Sequence, residues 1–363
     1  MNKGSLRGTQ SDRSSSSIGS VYTPVVEEFD SDGSIKLLAP GLSSTNKTST
    51  LLTDVYYEWV TQASTFGTSN IGTVAYGNAL WVAAGDGGAL RTSLDGTAWV
   101  TQTSTFGTSI IASVAFGASL WIAGGVGGAL RTSTNGTTWV TQTSTFGTSI
   151  IFSVAYGNGL WIAAGAGGTL RTSTNGTTWV TQTSQFGAST INSVAYGNGL
   201  WVASGAGGTL RTSTDGTTWV TQNPNFGVSI INSVAYGNGL WVASGAGGTL
   251  RTSTDAVTWV TRTSTFGTSI IYSVAFGNGI WVAGGTGSSV RSTMRTSIDA
   301  VTWVTQQNAN FGASSTNSVA FGNGLWVAVG SSAALRTLSE ALTYKSTINP
   351  STFSTSELDI LEG

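Results

Sequence analysis

All 14 tryptophans of this 363-residue chain fall into two series with a 40-residue step, and that period limits the fold more than any other feature. One series runs Trp81, Trp121, Trp161, Trp201, Trp241, Trp281 and Trp326. The other runs Trp59, Trp99, Trp139, Trp179, Trp219, Trp259 and Trp303. Only the last step of each is longer. The unit Ser193–Gln222, SVAYGNGLWVASGAGGTLRTSTDGTTWVTQ, returns seven times with few changes. A repeat of this size belongs to a solenoid, a propeller or an array, whose units bury their apolar faces only against neighbours.

Inside the unit the alternation is that of strands. Val194 and Tyr196 fall on one side, and Ser193, Ala195 and Gly197 on the other. Gly-Asn then turns the chain, since both residues accept positive φ. Leu200–Ala203 reads as a second strand, Gly205–Gly208 as a turn and Thr209–Thr212 as a third strand. Asp215-Gly216 is a two-residue hairpin signal, and Thr218–Thr221 a fourth strand. Four short antiparallel strands in 40 residues make the blade of a β-propeller. The predicted fold is all-β: a seven-bladed β-propeller of four-stranded antiparallel blades over residues 58–345, preceded by an extended N-terminal arm (1–57) and followed by a tail (346–363). Alternation of large and small side chains lets neighbouring blades nest. The segment EWVTQ around Trp59 precedes the first full unit and is expected to close the ring as the outer strand of the last blade. Leu338–Lys345 competes for that place, with Tyr344 where the Trp belongs, and is expected to be displaced.

Composition narrows the function. Charged residues are 9% of the chain and the net charge is −1, so no basic surplus exists for a nucleic-acid partner. There is no Cys and no His, which removes thiol chemistry, disulfides, the commonest metal ligand and the commonest general base together. No metal and no cofactor is expected. The N-terminus MNKGSLRGTQSDRSSSS lacks the apolar core of a signal peptide, and no stretch is long and apolar enough for membrane insertion. The arm shares nothing with the repeat. Two short apolar patches, Val21–Val26 and Ile35–Pro40, flank an acidic cluster at Glu27–Asp32, among Ser-rich stretches. Such a segment cannot bury a core alone and is expected to dock on another surface.

At Ser213, Asp215, Gly216, Thr218 and Trp219 the chain resembles the Asp-box (BNR) repeat, S-x-D-x-G-x-T-W. It is most similar to the glycine- and tryptophan-rich variety of bacteriophage virion proteins and, more distantly, of photosystem II assembly factors. The resemblance covers residues 58–345 and implies a seven-bladed propeller with the box at the hairpin between third and fourth strands. Asp and Gly are adjacent here, so the box is one residue short. Its acidic position holds Asp95, Asn135, Asn175, Asp215, Asp255 and Asp299, its Gly becomes Ala256 and Ala300, and the last copy has Leu338, Glu340 and Tyr344. Its expected role is structural, the side chain capping its own turn above the Trp.

Three further columns are candidate sites. Arg91, Arg131, Arg171, Arg211, Arg251, Arg295 and Arg336 recur once per blade. Ring symmetry spreads them about the axis, unlike a sialidase pocket, and paired carboxylates for glycoside chemistry are lacking. They could form an anion-binding ring; the simpler expectation is local pairing with the box carboxylate. The column that refuses to repeat is Gly72, Ala112, Phe152, Asn192, Asn232, Tyr272 and Asn317. It lies where the chain enters the inner strand, and Phe152, Asn192, Asn232, Tyr272 and Asn317 make a candidate ligand- or partner-binding rim at one mouth of the channel. An insertion at Ser288–Met294, which adds Arg291, is a candidate docking loop.

The sequence therefore predicts a non-enzymatic bacteriophage virion structural or attachment protein, made in the host cytoplasm. Its expected partners are other virion proteins through residues 1–57, a second copy of the chain and a host-surface glycan. A carbohydrate-binding propeller lectin is the alternative reading, and an assembly scaffold the third.

Overall fold

A computed structural model describes residues 26–29, 35–37, 55–57, 59–286, 293–306, 314–339 and 342–344. The chain divides into two units, residues 53–345 and the terminal segments 1–52 with 346–363. In the terminal unit an antiparallel hairpin pairs Val26–Phe29 with Ile35–Leu37. The rest of the arm, the tail and residues 287–292 of the insertion lie outside the described residues.

The larger unit is a seven-bladed β-propeller, and its described residues contain no α-helix. The fourth blade stands for all. Its inner strand is Ile191–Gly197, followed by Leu200–Gly205, Leu210–Ser213 and the outer strand Val220–Gln222. The inner strand starts two residues before the SVAYG alternation, because a bulge between Ile191 and Ser193 takes up an extra residue. Asn198 and Gly199, both at positive φ (50° and 75°), make the tight hairpin between the first two strands. The predicted second turn is a single 3₁₀ turn at Ala206–Gly208, and Trp219 precedes the outer strand instead of lying in it.

No common centre holds the blades; seven equivalent apolar layers lie between neighbours. Between blades four and five, Val202 and Leu210 face Phe226, Ile231, Val234, Trp241 and Trp259. Each inner Trp packs on the aromatic residue opposite it across the first hairpin, with ring centroids 4.9–5.2 Å apart in all seven blades. Burying one such ring removes about 150–250 Å² from water, worth at most about 4–6 kcal/mol. Around the channel the Val234 amide donates to the Ser193 hydroxyl of the preceding blade (3.1 Å). The same bond recurs at every boundary and ends with Val74 on Ser318 (3.3 Å), so the inner ring is closed by hydrogen bonds as well as by packing.

The seam answers the question of closure. Val60–Thr61 pairs with Leu335–Ser339 as the outer strand of the seventh blade, and Trp59 fills the layer between blades six and seven. Leu342–Tyr344 is displaced, as expected, and pairs with Val55–Tyr57 in a separate two-stranded ribbon.

Candidate functional site

The hairpin between third and fourth strands carries the acidic column. Asp215 accepts from the amides of Thr217 (2.8 Å) and Thr218 (2.7 Å) and from the Ser213 hydroxyl (2.9 Å). Ser213 in turn accepts from Gly216 N–H, and Trp219 Nε1 donates to the Gly216 carbonyl (3.1 Å). Asn135 and Asn175 make the same bonds through Oδ1. Ala256 and Ala300 hold the turn at φ near +59°, with their carbonyls still accepting from Trp259 and Trp303. The capping role read from the sequence is the geometry found, and it needs an acceptor oxygen, not a charge.

Those amides nevertheless favour the ionised form. Backbone N–H donors hold Asp95 and Asp215 far below the usual carboxylate range and Asp255 at about 2. At Asp299 burial pushes upward, and the Thr302 and Val301 amides outweigh it. A carboxyl depressed in the folded state contributes stability above its unfolded pKa near 3.8, lost as pH falls toward the folded value. Changing all four Asp to Asn is expected to leave the urea midpoint at pH 7 nearly unchanged, as in the two natural Asn turns. The drop in midpoint from about pH 4 down to about pH 2 should become shallower than in the parent chain. Equal acid sensitivity in both chains would show that these hairpins do not control it.

The arginine column is not paired with the box carboxylate. Arg91 donates through Nε to Thr65 Oγ1 (3.2 Å) and through Nη2 to the Thr65 carbonyl (3.0 Å), and lies over the Phe66 ring at 4.6 Å. Thus the guanidinium clamps the loop that enters its own blade. Stacking on the loop Phe recurs in Arg131, Arg171, Arg211, Arg251 and Arg295 at 4.4–4.8 Å. Thr65, Thr105, Thr145 and Thr265 sit at φ near +59°, an unfavourable conformation for a β-branched residue, and the hydroxyl oxygen of each accepts from Arg Nε. Where the loop has Gln185 or Asn225 instead, Nε of Arg211 and of Arg251 is buried without a partner. Arg336 of the last blade donates to Thr61 Oγ1 of the closing strand.

The variable rim is corrected in part. All seven positions lie at the bulge of the inner strand, half-buried. Asn192, Asn232 and Asn317 donate to the carbonyls of Ile231, Ile271 and Ile71 in the next blade at 3.0–3.1 Å, so the fold is not indifferent to them. Phe152 and Tyr272 make no such bond; they stand three blades apart, on opposite sides of the ring. Among the described residues no three His, Cys, Asp or Glu gather where a metal could bind. One column passed unnoticed in the sequence. The outer strand reads W-V-T-Q six times and W-V-T-R once, at Arg262.

No family model matches the chain, and no curated protein matches it in sequence. Solved structures do match its fold. YCF48 bound to D1 peptide is similar with a TM-score of 0.63 and 15% identity, over 78% of this chain and 94% of that one. YCF48 from Cyanidioschyzon merolae gives 0.61 and 16%, over 78% and 98%. The WD40 β-propeller domain of Doa1 gives 0.61 and 16%, over 80% and 98%. At these identities the likeness is one of fold.

Proposed function

We propose that the protein is a non-enzymatic binding propeller that serves as a structural or attachment component of a bacteriophage particle, anchored through residues 1–57. The observation that carries the non-enzymatic part is the use of the repeated polar columns. The box oxygens cap amides, the arginines clamp loops and stack on Phe, and the rim asparagines join blades. Little reactive capacity is left to converge on a substrate. A ring whose seven boundaries are each closed by packing and by an inner-strand hydrogen bond offers a platform for other macromolecules, and the peptide in the YCF48 complex supports the reading that a propeller of this fold can take a polypeptide. The particle assignment rests on the box resemblance and on an arm with too little apolar content to fold alone.

The test is limited proteolysis of the purified full chain, read by mass spectrometry, beside the same digestion of purified particles. Residues 1–57 are expected to be trimmed quickly from the free chain, while 58–345 survives, and to be protected in the particle. Equal protection of the arm in both samples, or absence of the chain from particles, would reject the assignment. Glycan binding by the free chain would move the reading to a lectin.

A further inference from the structure

In the outer strands the W-V-T-Q glutamine has one job. Gln102, Gln142, Gln182 and Gln222 each donate Nε2 to the hydroxyl of the Thr on the third strand of the same blade, at 2.8–2.9 Å. Arg262 does that job with its Nε, 2.8 Å from Thr252 Oγ1. Its two terminal nitrogens are then surplus to the fold and carry no hydrogen bond among the described residues. Arg262 lines a groove of about 480 Å³ together with Thr263, Ser264, Thr265, Gly267 and Gly248.

A second cation, Arg295, is buried and bonded to one of the lining residues. Thr265 is the residue clamped by Arg295, whose Nε donates to its hydroxyl (2.9 Å) and Nη2 to its carbonyl (3.0 Å). Among the described residues this cleft is the one with an arginine at the register of the W-V-T-Q glutamine. The carboxylates of blades five and six, Asp255 and Asp299, sit in the hairpins at the other end of the outer strands and are held by their own turn amides. Between residues 59 and 339 the chain has nine Arg and no Lys against five Asp and no Glu. A groove whose lining offers this guanidinium fork and hydroxyls and includes no carboxylate suits a planar oxyanion held by two parallel N–H bonds.

We infer that the Arg262 groove is a binding site for a carboxylate, supplied by an Asp or Glu side chain of a partner polypeptide. The fork matches a carboxylate in width, and replacing Arg by the Gln of the other blades would keep the fold and lose only the fork. The inference does not depend on the particle assignment, because it concerns the isolated chain.

The experiment uses the full chain and a fluorescein-labelled peptide of alternating Gly and Glu, read by anisotropy at low and high salt, with inorganic phosphate as competitor. Binding is expected to weaken with salt and to fall about tenfold or more in Arg262→Gln, with an unchanged melting temperature. Arg262→Lys, which keeps the charge and loses the fork, should retain only part of the affinity. Equal affinity in the parent and Arg262→Gln would overturn the proposal, as would no binding to the parent. Arg262-dependent binding of phosphate without binding of the peptide would overturn the polypeptide source.

Discussion

Deleting residues 1–62 is expected to open the ring, whereas deleting residues 1–52 should leave its stability almost intact. The first deletion removes the outer strand of the seventh blade. With it go the pairing of Val60 and Thr61 with Thr337 and Arg336, the Gln62 amide bond to the Leu335 carbonyl (3.0 Å) and the Gln62 side-chain bond to Thr337 (2.8 Å). It also empties the place of Trp59, which is 4% exposed. Loss of a buried Trp alone costs about 3–5 kcal/mol, a large share of the roughly 5–15 kcal/mol that holds a typical domain together. The bare third strand then offers an unpaired edge to other chains. Size-exclusion chromatography should show oligomers or aggregate, and thermal melting should come much earlier and less cooperatively. Monomeric, cooperative melting of the 63–363 chain would mean that the strand is not the closure. The seam also carries a deficit at its outer Trp. At all six other positions the outer Trp donates to its own turn carbonyl, whereas Trp59 Nε1 is buried without a partner, a deficit of about 1–3 kcal/mol.

The second large effect is expected from one methylene-sized change at Gly197. Its backbone is extended, so alanine has no conformational penalty there; the obstacle is the next blade. A Cβ at Gly197 would lie 2.3–2.4 Å from Cγ, Cβ and Cδ1 of Tyr236. Those are atoms of the ring's root, not of a flexible tip, and the ring is held from behind by Trp241 at 5.0 Å. Gly197→Ala should therefore destabilise by about 1–3 kcal/mol or more, as overpacking does. A double-mutant cycle identifies the cause. In a Tyr236→Ala background the same substitution should cost little, and the coupling should exceed about 1 kcal/mol. An equal cost in both backgrounds would rule out the collision. Because Gly322 meets Tyr76 in the same way, the contact runs around the whole ring, and a wedge at one boundary strains the closure of the others.

How much of this was visible in the letters depends on the distance over which each feature is decided. Strand number, hairpin positions and the capping role of Asp215 were legible, since alternation and the need for positive φ or an acceptor act within a few residues. The closing role of Trp59 was legible as an unmatched copy of a periodic strand. The arginines show the limit. Their column was plain, but the sequence placed them on the box carboxylate a few residues away, and the fold places Arg91, for one, on Thr65 and Phe66 of a loop 25 or 26 residues earlier. The rim shows the same limit, because the partner of Asn192 lies 39 residues ahead, in another blade.

The sequence by itself determined the blade: its four strands, its turns and its seven copies, all products of local chemistry repeated at a 40-residue step. Only the tertiary structure decided how blades meet. Every copy offers the same side chains at both faces, so the letters cannot tell a contact within a unit from one with the next unit. The meaning of Arg262 was decided there too. As a letter it is one exception in a column of glutamines. In the cleft it adds a guanidinium fork with no hydrogen bond among the described residues, because Nε alone makes the structural bond.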